Sequence, residues 1–247
     1  MDRQGRFSIS ARKLHSRLGA ATAPLLIEVR RAALPLLMAL VLGGGWAAVH
    51  AQTGPTEIDI SHYAPGPLPP DFLTSWHSGN GSAGTWAVVE DETARKGKAI
   101  AQTSTDATDY RFPLAVYEPF AVQNVEVVIR FKPVSGKVDR AGGIAIRLTS
   151  ADNYYVVRAN ALEDNVRFYR VVKGNREQIA GVNTKVTSGD WHTLALRAEG
   201  DRFTVSFDGK QLFTASDRTF PSVGKIALWT KADSVTHFDR IVINPLQ

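Results

Sequence analysis

An all-β fold, an antiparallel two-sheet β-sandwich of jelly-roll type, is what this sequence predicts, and three observations carry the prediction. Apolar residues recur with a period of two in segment after segment. Short turn signals separate those segments every ten to fifteen residues. No stretch shows the 3.6-residue period of a long amphipathic helix.

The alternation is clearest in four places. Val125, Val127, Ile129 and Phe131 share one strand face, with Glu126 and Arg130 opposite. Ile144, Ile146 and Leu148 alternate with Ala145 and Arg147. Tyr155, Val157 and Ala159 alternate with Tyr154, Val156, Arg158 and Asn160. Phe203, Val205 and Phe207 alternate with Arg202, Thr204, Ser206 and Asp208. A strand sends successive side chains to opposite faces, so each set reads as a half-buried strand. The breaks are Ser135-Gly136, Asp152-Asn153, Lys173-Gly174, Ser188-Gly189, Glu199-Gly200 and Asp208-Gly209. The last is a hairpin signal, because a type I′ turn needs positive φ at both central residues.

Charge separates the chain into unequal parts. Residues 1–51 hold seven Lys/Arg and two Asp/Glu, which accounts for the whole net charge of +5. The remainder is neutral, with 22 residues of each sign. A neutral body is a poor partner for nucleic acid, whose binding rests on phosphate neutralisation. There is no cysteine, so disulfides, thiolate metal sites and a cysteine nucleophile are excluded.

Arg30-Arg31 precedes the uncharged run 32–49, which ends in small residues and Val49-His50-Ala51. That order of positive flank, apolar centre and small-residue end predicts a secretory signal with cleavage after Ala51, behind a long N-terminal extension. The alternative is an uncleaved anchor, which Pro35 and three glycines weaken as a helix. Cleavage leaves no membrane span and predicts a periplasmic or extracellular protein. Residues 52–70 carry prolines at 65, 67, 69 and 70 and read as a linker or surface arm. Residues 71–247 are expected to form the jelly-roll domain.

Several segments taken together look like a known group. They are 143–147, 152–160 (DNYYVVRAN), 165–169, 189–194 (GDWHTL), 203–209 (FTVSFDG) and 224–231, followed by Phe238-Asp239. Their order resembles the concanavalin A-like lectin/glucanase superfamily, and within it the bacterial secreted 3-keto-disaccharide hydrolase-like domains. The resemblance implies a jelly roll whose concave face meets carbohydrate and, for some members, hydrolysis of keto-sugar glycosides. The Glu-x-Asp-x-x-Glu catalytic strand of related glucanases is absent here.

Candidate ligand-binding residues follow from strand parity. Arg158 with Asn160, Arg167 with Tyr169, and Trp229 with Lys231 lie on faces opposite the core. Arg, Asn and Lys can donate to sugar hydroxyls, while Tyr and Trp can stack on pyranose faces. The alternative for Tyr169 and Trp229 is a place in the core. Catalysis on a glycoside needs paired acid and base groups. The candidates are Glu163 and Asp164, in the turn between the strands bearing Arg158 and Arg167, and His192. Trp191 reads as a core plug with His192 as its neighbour. No cofactor is expected. A structural calcium could draw on Asp152, Asn153, Asp233 or Asp239. Three readings therefore stand: a sugar-binding module, a hydrolase or lyase on 3-keto-glycosides, and a structural envelope-interaction domain.

Overall fold

The computed structural model describes residues 54–247, so the signal and extension expected over 1–51 lie outside the described residues. Two antiparallel sheets pack face to face. The first runs β14 (Lys210–Ser216), β13 (Arg202–Phe207), β12 (His192–Glu199), β7 (Val125–Ser135), β16 (Val235–Pro245), β5 (Lys98–Gln102), β4 (Trp86–Glu90) and β2 (Gly66–Pro67). The short β1 (Thr56–Glu57) adds to the end of β16. The second runs β11 (Asn175–Asn183), β10 (Asn165–Val172), β9 (Asn153–Asn160), β8 (Ala141–Ser150), β15 (Gly224–Trp229), β6 (Arg111–Val122) and β3 (Phe72–Gly79). Among the described residues only a single 3₁₀ turn, Ile60–His62, interrupts the β structure. No helix among the described residues is long and apolar enough to cross a membrane.

The inter-sheet core is the set that the alternation picks out. Val125, Val127, Ile129 and Phe131 of the first sheet meet Ile144, Ile146, Tyr155 and Val157 of the second, all buried. Asp208 and Gly209 have φ of 46° and 77°, the left-handed pair a type I′ turn requires.

Two local expectations fail, each for a physical reason. Leu148 leaves the face of Ile144 and Ile146 and joins a second cluster. The cause is a register break on β8 near Arg147, whose φ is +50°. The buried Arg147 guanidinium donates to the carbonyls of Gln123, Phe220 and Gly200 at 2.6–2.9 Å, which holds the irregularity in place. Trp191 and His192 also exchange places. His192 turns into the core between Phe131 and Phe207. Trp191 lies half-buried on the outer side, donating to Thr93 Oγ1 and covered by Arg130 and Lys132. Part of the proline-rich segment 52–70, expected to be a linker or surface arm, pairs through β1 and β2 and contributes Ile58 and Ile60 to the core.

Candidate functional site

The outer face of the second sheet carries a second apolar cluster. Phe112 (β6), Tyr154 (β9), Tyr169 (β10) and Trp229 (β15) all belong to it. Phe112 and Trp229 stack with centroids 5.5 Å apart, and Trp229 Nε1 donates to Tyr154 Oη at 3.4 Å. These side chains are buried although no third layer among the described residues covers them. Curvature explains it. Arg176 on β11 places its guanidinium 4.9 Å from the ring centre of Phe112, five strands away. In a flat sheet five steps of about 4.8 Å put those strands about 24 Å apart. The sheet therefore curls into a trough, and Arg176 also lies 4.5 Å from Tyr169 and 5.9 Å from Trp229. The curl also brings β3 against the turn before β9, where Ser78 Oγ donates to Asp152 Oδ1 at 3.1 Å.

Gly143 shapes the floor. It pairs with Arg158 on one side and Trp229 on the other. A Cβ there would sit 2.6 Å from the carbonyl of Val157 and 3.1 Å from Arg158 Cβ. A bare backbone is what allows Arg158 its place.

The trough also carries a network of polar and charged groups. Arg158 donates to Glu163 Oε2 at 2.7 Å, to Tyr169 Oη at 3.1 Å, and to Asn165 Oδ1. Asn165 Nδ2 reaches the same Glu163 oxygen at 3.0 Å. Lys231 Nζ lies 2.9 Å from Asp109 Oδ1 and 3.0 Å from Asp139 Oδ2. Asn160 joins the halves: Nδ2 donates to Asp139 Oδ1 at 3.0 Å, and Oδ1 accepts from Leu162 N at 2.8 Å. The Glu163 and Asp109 side chains are 48% and 60% exposed, and Tyr110 beside Asp109 is 53% exposed. Solvent therefore reaches two carboxylates and one aromatic ring, while Arg158, Asn160 and Asp139 stay beneath them.

The environments push the three carboxyl groups apart. Burial raises Asp139 above its ordinary value, and the attraction of Lys231 only partly offsets this. Burial also works to raise Glu163, but the charge of Arg158 and the bonds from Asn165 and Arg158 outweigh it and hold Glu163 low. The bond from Lys231 holds Asp109 low. Lys231 is itself raised, because its two carboxylate partners outweigh its burial. A carboxyl whose folded pKa exceeds its unfolded value binds more protons when folded, so its contribution to stability is lost as pH rises above about 4. Asp109 and Glu163 carry the opposite sign. Asp139→Asn removes only the first contribution. The melting temperature of the variant minus that of wild type should grow more positive from pH 4 to pH 7. A difference that is flat across that range would refute the assignment.

The structure brings together five of the residues expected from sequence: Arg158, Asn160, Glu163, Tyr169 and Lys231. Trp229 is in the floor, and it and Tyr169 are buried, so neither ring is open to stack on a sugar. Arg167 shares the face, but its side chain crosses Gly181 toward the sheet edge and pairs with Asn183 at 2.6 Å. Asp164 turns away from Glu163 to Lys185 Nζ at 2.9 Å and Val186 N at 3.1 Å. Its left-handed φ of 48° makes it a turn residue. His192 is in the other sheet, held by Asp208 at 2.8 Å and Thr187 at 3.0 Å, and does not meet Glu163. The calcium candidates do not converge. Asp233 accepts from three backbone N–H groups, Asp239 from Arg95 N and Arg130, Asp152 from Ser78, and Asn153 Oδ1 from Lys173 N. Among the described residues no group of three or more His, Asp or Glu could hold a metal ion. Asp109, Tyr110, Asp139, Asn165 and Arg176 belong to the site without being among the residues that strand parity nominates. Asn165 was within reach, since it shares the parity of Arg167 and Tyr169.

The profile of a family described as "3-keto-alpha-glucoside-1,2-lyase-like domain" matches residues 71–244. The chain belongs to this family. A levanase of Bacillus subtilis (strain 168) is 28% identical over 159 residues, covering 63% of this chain. That match spans 21% of the levanase, about a fifth of its length. The carbohydrate-binding module CBM66 from Bacillus subtilis superposes with a TM-score of 0.53 at 24% identity, over 70% of this chain and 96% of that one. A Bacillus licheniformis beta-glucanase gives 0.51 at 15% identity, over 79% and 100%. At these identities the structural likeness concerns the jelly-roll fold alone.

Proposed function

We propose that the chain is an exported sugar-binding domain of its family and that the saccharide sits over the polar network of the trough. The observation that carries this reading is the network itself. Exposed Glu163, Asp109 and Tyr110 stand over a fixed array of Arg158, Lys231, Asn160 and Asn165, which gives donors, acceptors and one open ring within a single concave site. Saccharides are recognised by such mixed sets because every hydroxyl both donates and accepts. The buried aromatics act as a rigid floor that keeps those groups in place. Tyr110, rather than Tyr169 or Trp229, takes the stacking role.

Family membership favours one second reading, elimination across C1–C2 of a 3-keto-glycoside. In that step a base removes the proton on C2, beside the ketone. The electron pair forms the C1=C2 bond, the C1–O bond breaks, the leaving oxygen takes a proton from water, and the hydroxide so formed recovers the C2 proton from the base. Glu163, ionised and exposed, is the base in this reading. Lys231 and Arg158 face the charge that develops on the ketone oxygen.

Purified protein titrated calorimetrically against a saccharide panel that includes 3-keto-glucosides, with mass spectrometry of each mixture, decides between them. Binding without product, weakened about 10-fold by Lys231→Ala, supports the binding domain. A dehydrated keto-sugar product that Glu163→Gln abolishes while binding persists supports the lyase. No binding and no product across the panel would overturn both.

A further inference from the structure

On the far side of the loop that carries Asp139 lies a separate hollow of about 540 Å³. Thr105, Ala107, Val138, Lys137, Arg140 and Asp233 line it. The loop puts Asp139 into the trough network and its neighbours Val138 and Arg140 against the hollow, so the two sites stand back to back. The size is that of a small-molecule pocket. Its wall is largely aliphatic, with Val138 43% exposed.

Its charge is not balanced. The Asp233 carboxylate is committed to the loop: Oδ2 accepts from Lys137 N at 2.6 Å, and Oδ1 from Val138 N and Asp139 N at 3.0 Å each. Burial works to raise Asp233, but these backbone bonds outweigh it and keep it ionised. It makes no ion pair with either neighbouring cation. Arg140 donates to Ser188 Oγ and to the carbonyl of Gly136, each at 2.9 Å. Both are neutral oxygens, and Arg140 Nε is buried with no acceptor. Among the described residues neither Lys137 nor Arg140 meets a carboxylate. The result is an apolar hollow in which a braced guanidinium and a free ammonium exceed the one anion by a unit charge.

We propose that this hollow is a binding site for a small organic monocarboxylate with an apolar body. The carboxylate would accept from Arg140 and approach Lys137, an arrangement that suits the planar fork of a guanidinium. The body would cover Val138, Ala107 and the methyl group of Thr105. This proposal does not rest on the sugar reading, since it uses other residues on the other side of the loop.

Benzoate and its neutral isostere benzamide are suitable probes, titrated into the full chain by calorimetry and by ¹⁵N-resolved amide shifts. Benzoate should bind about 10-fold more tightly than benzamide and shift the amides of 135–140. Arg140→Gln should remove the preference. Lys137→Glu changes an exposed side chain with little risk to folding and should weaken benzoate while leaving benzamide unaffected. Equal binding of the two probes, binding of neither, or shifts outside 135–140 and 105–107 would overturn the proposal. A preference that survives Lys137→Glu and Arg140→Gln together would also overturn it.

Discussion

Trp229→Ala should destabilise the protein by about 3–5 kcal/mol, a drop of roughly 10 °C in melting temperature for a domain of this size. The indole is fully buried, stacks on Phe112, and donates to Tyr154. Its removal leaves a cavity that the neighbours cannot fill. Gly143 beside it has no side chain to move, and Tyr154 and Phe112 are fixed on strands of the same curled sheet. Arg176 loses one of the three rings beneath its charge as well. Chemical denaturation of the variant measures the loss directly, with Tyr110→Ala as the control. Tyr110 is exposed, so its truncation should stay within about 0.5 kcal/mol. A loss below 1 kcal/mol for Trp229→Ala would mean that the floor is not packed as described. The floor would then not be rigid enough to position Arg158.

The contrast between those two residues shows what the sequence made legible. Period-two alternation identifies the two faces of a strand, and it assigned Arg158, Asn160, Tyr169 and Trp229 to the correct face. It does not say whether that face is open. Solvent is excluded from Trp229 by the curl of the sheet, which brings Arg176 across five strands, and curvature leaves no trace in alternation. The inter-sheet core and the Asp208-Gly209 hairpin were readable because each is a local consequence of side-chain chemistry. Alternation cannot place Leu148, because the break at Arg147 is stabilised by carbonyls 24, 53 and 73 residues away. Asp109 and Asp139 sit in loops, where no period assigns a direction. Only the fold joins them through Lys231. Glu163 and Asp164 are adjacent in sequence, yet the left-handed φ of Asp164 turns one carboxylate into the trough network and the other toward Lys185.

Arg158→Ala is the variant in which fold and function separate. The guanidinium is nearly buried and serves three acceptors, Glu163, Tyr169 and Asn165, while its carbon atom Cζ lies 5.7 Å from the Tyr169 ring centre. Truncation leaves the Tyr169 hydroxyl and Asn165 Oδ1 short of a partner, and it releases Glu163. Because Glu163 is half exposed, water replaces much of that ion pair. The stability loss should therefore be only about 1–2 kcal/mol, well below that of Trp229→Ala. Sugar affinity should respond more strongly and fall about 10- to 100-fold, because one donor is lost and the carboxylate it held is no longer fixed. Arg158→Lys keeps the charge but not the fork, and should recover only part of the affinity. A third readout distinguishes positioning from simple packing. With Arg158 gone, the Glu163 carboxyl should titrate at higher pH, which ¹³C carboxyl shifts follow directly. The affinity left in the variant should then fall as pH drops through that new value. Unchanged affinity in Arg158→Ala, at a pH where the variant is folded, would remove this network from the binding site and leave the trough as a structural feature of the curled sheet.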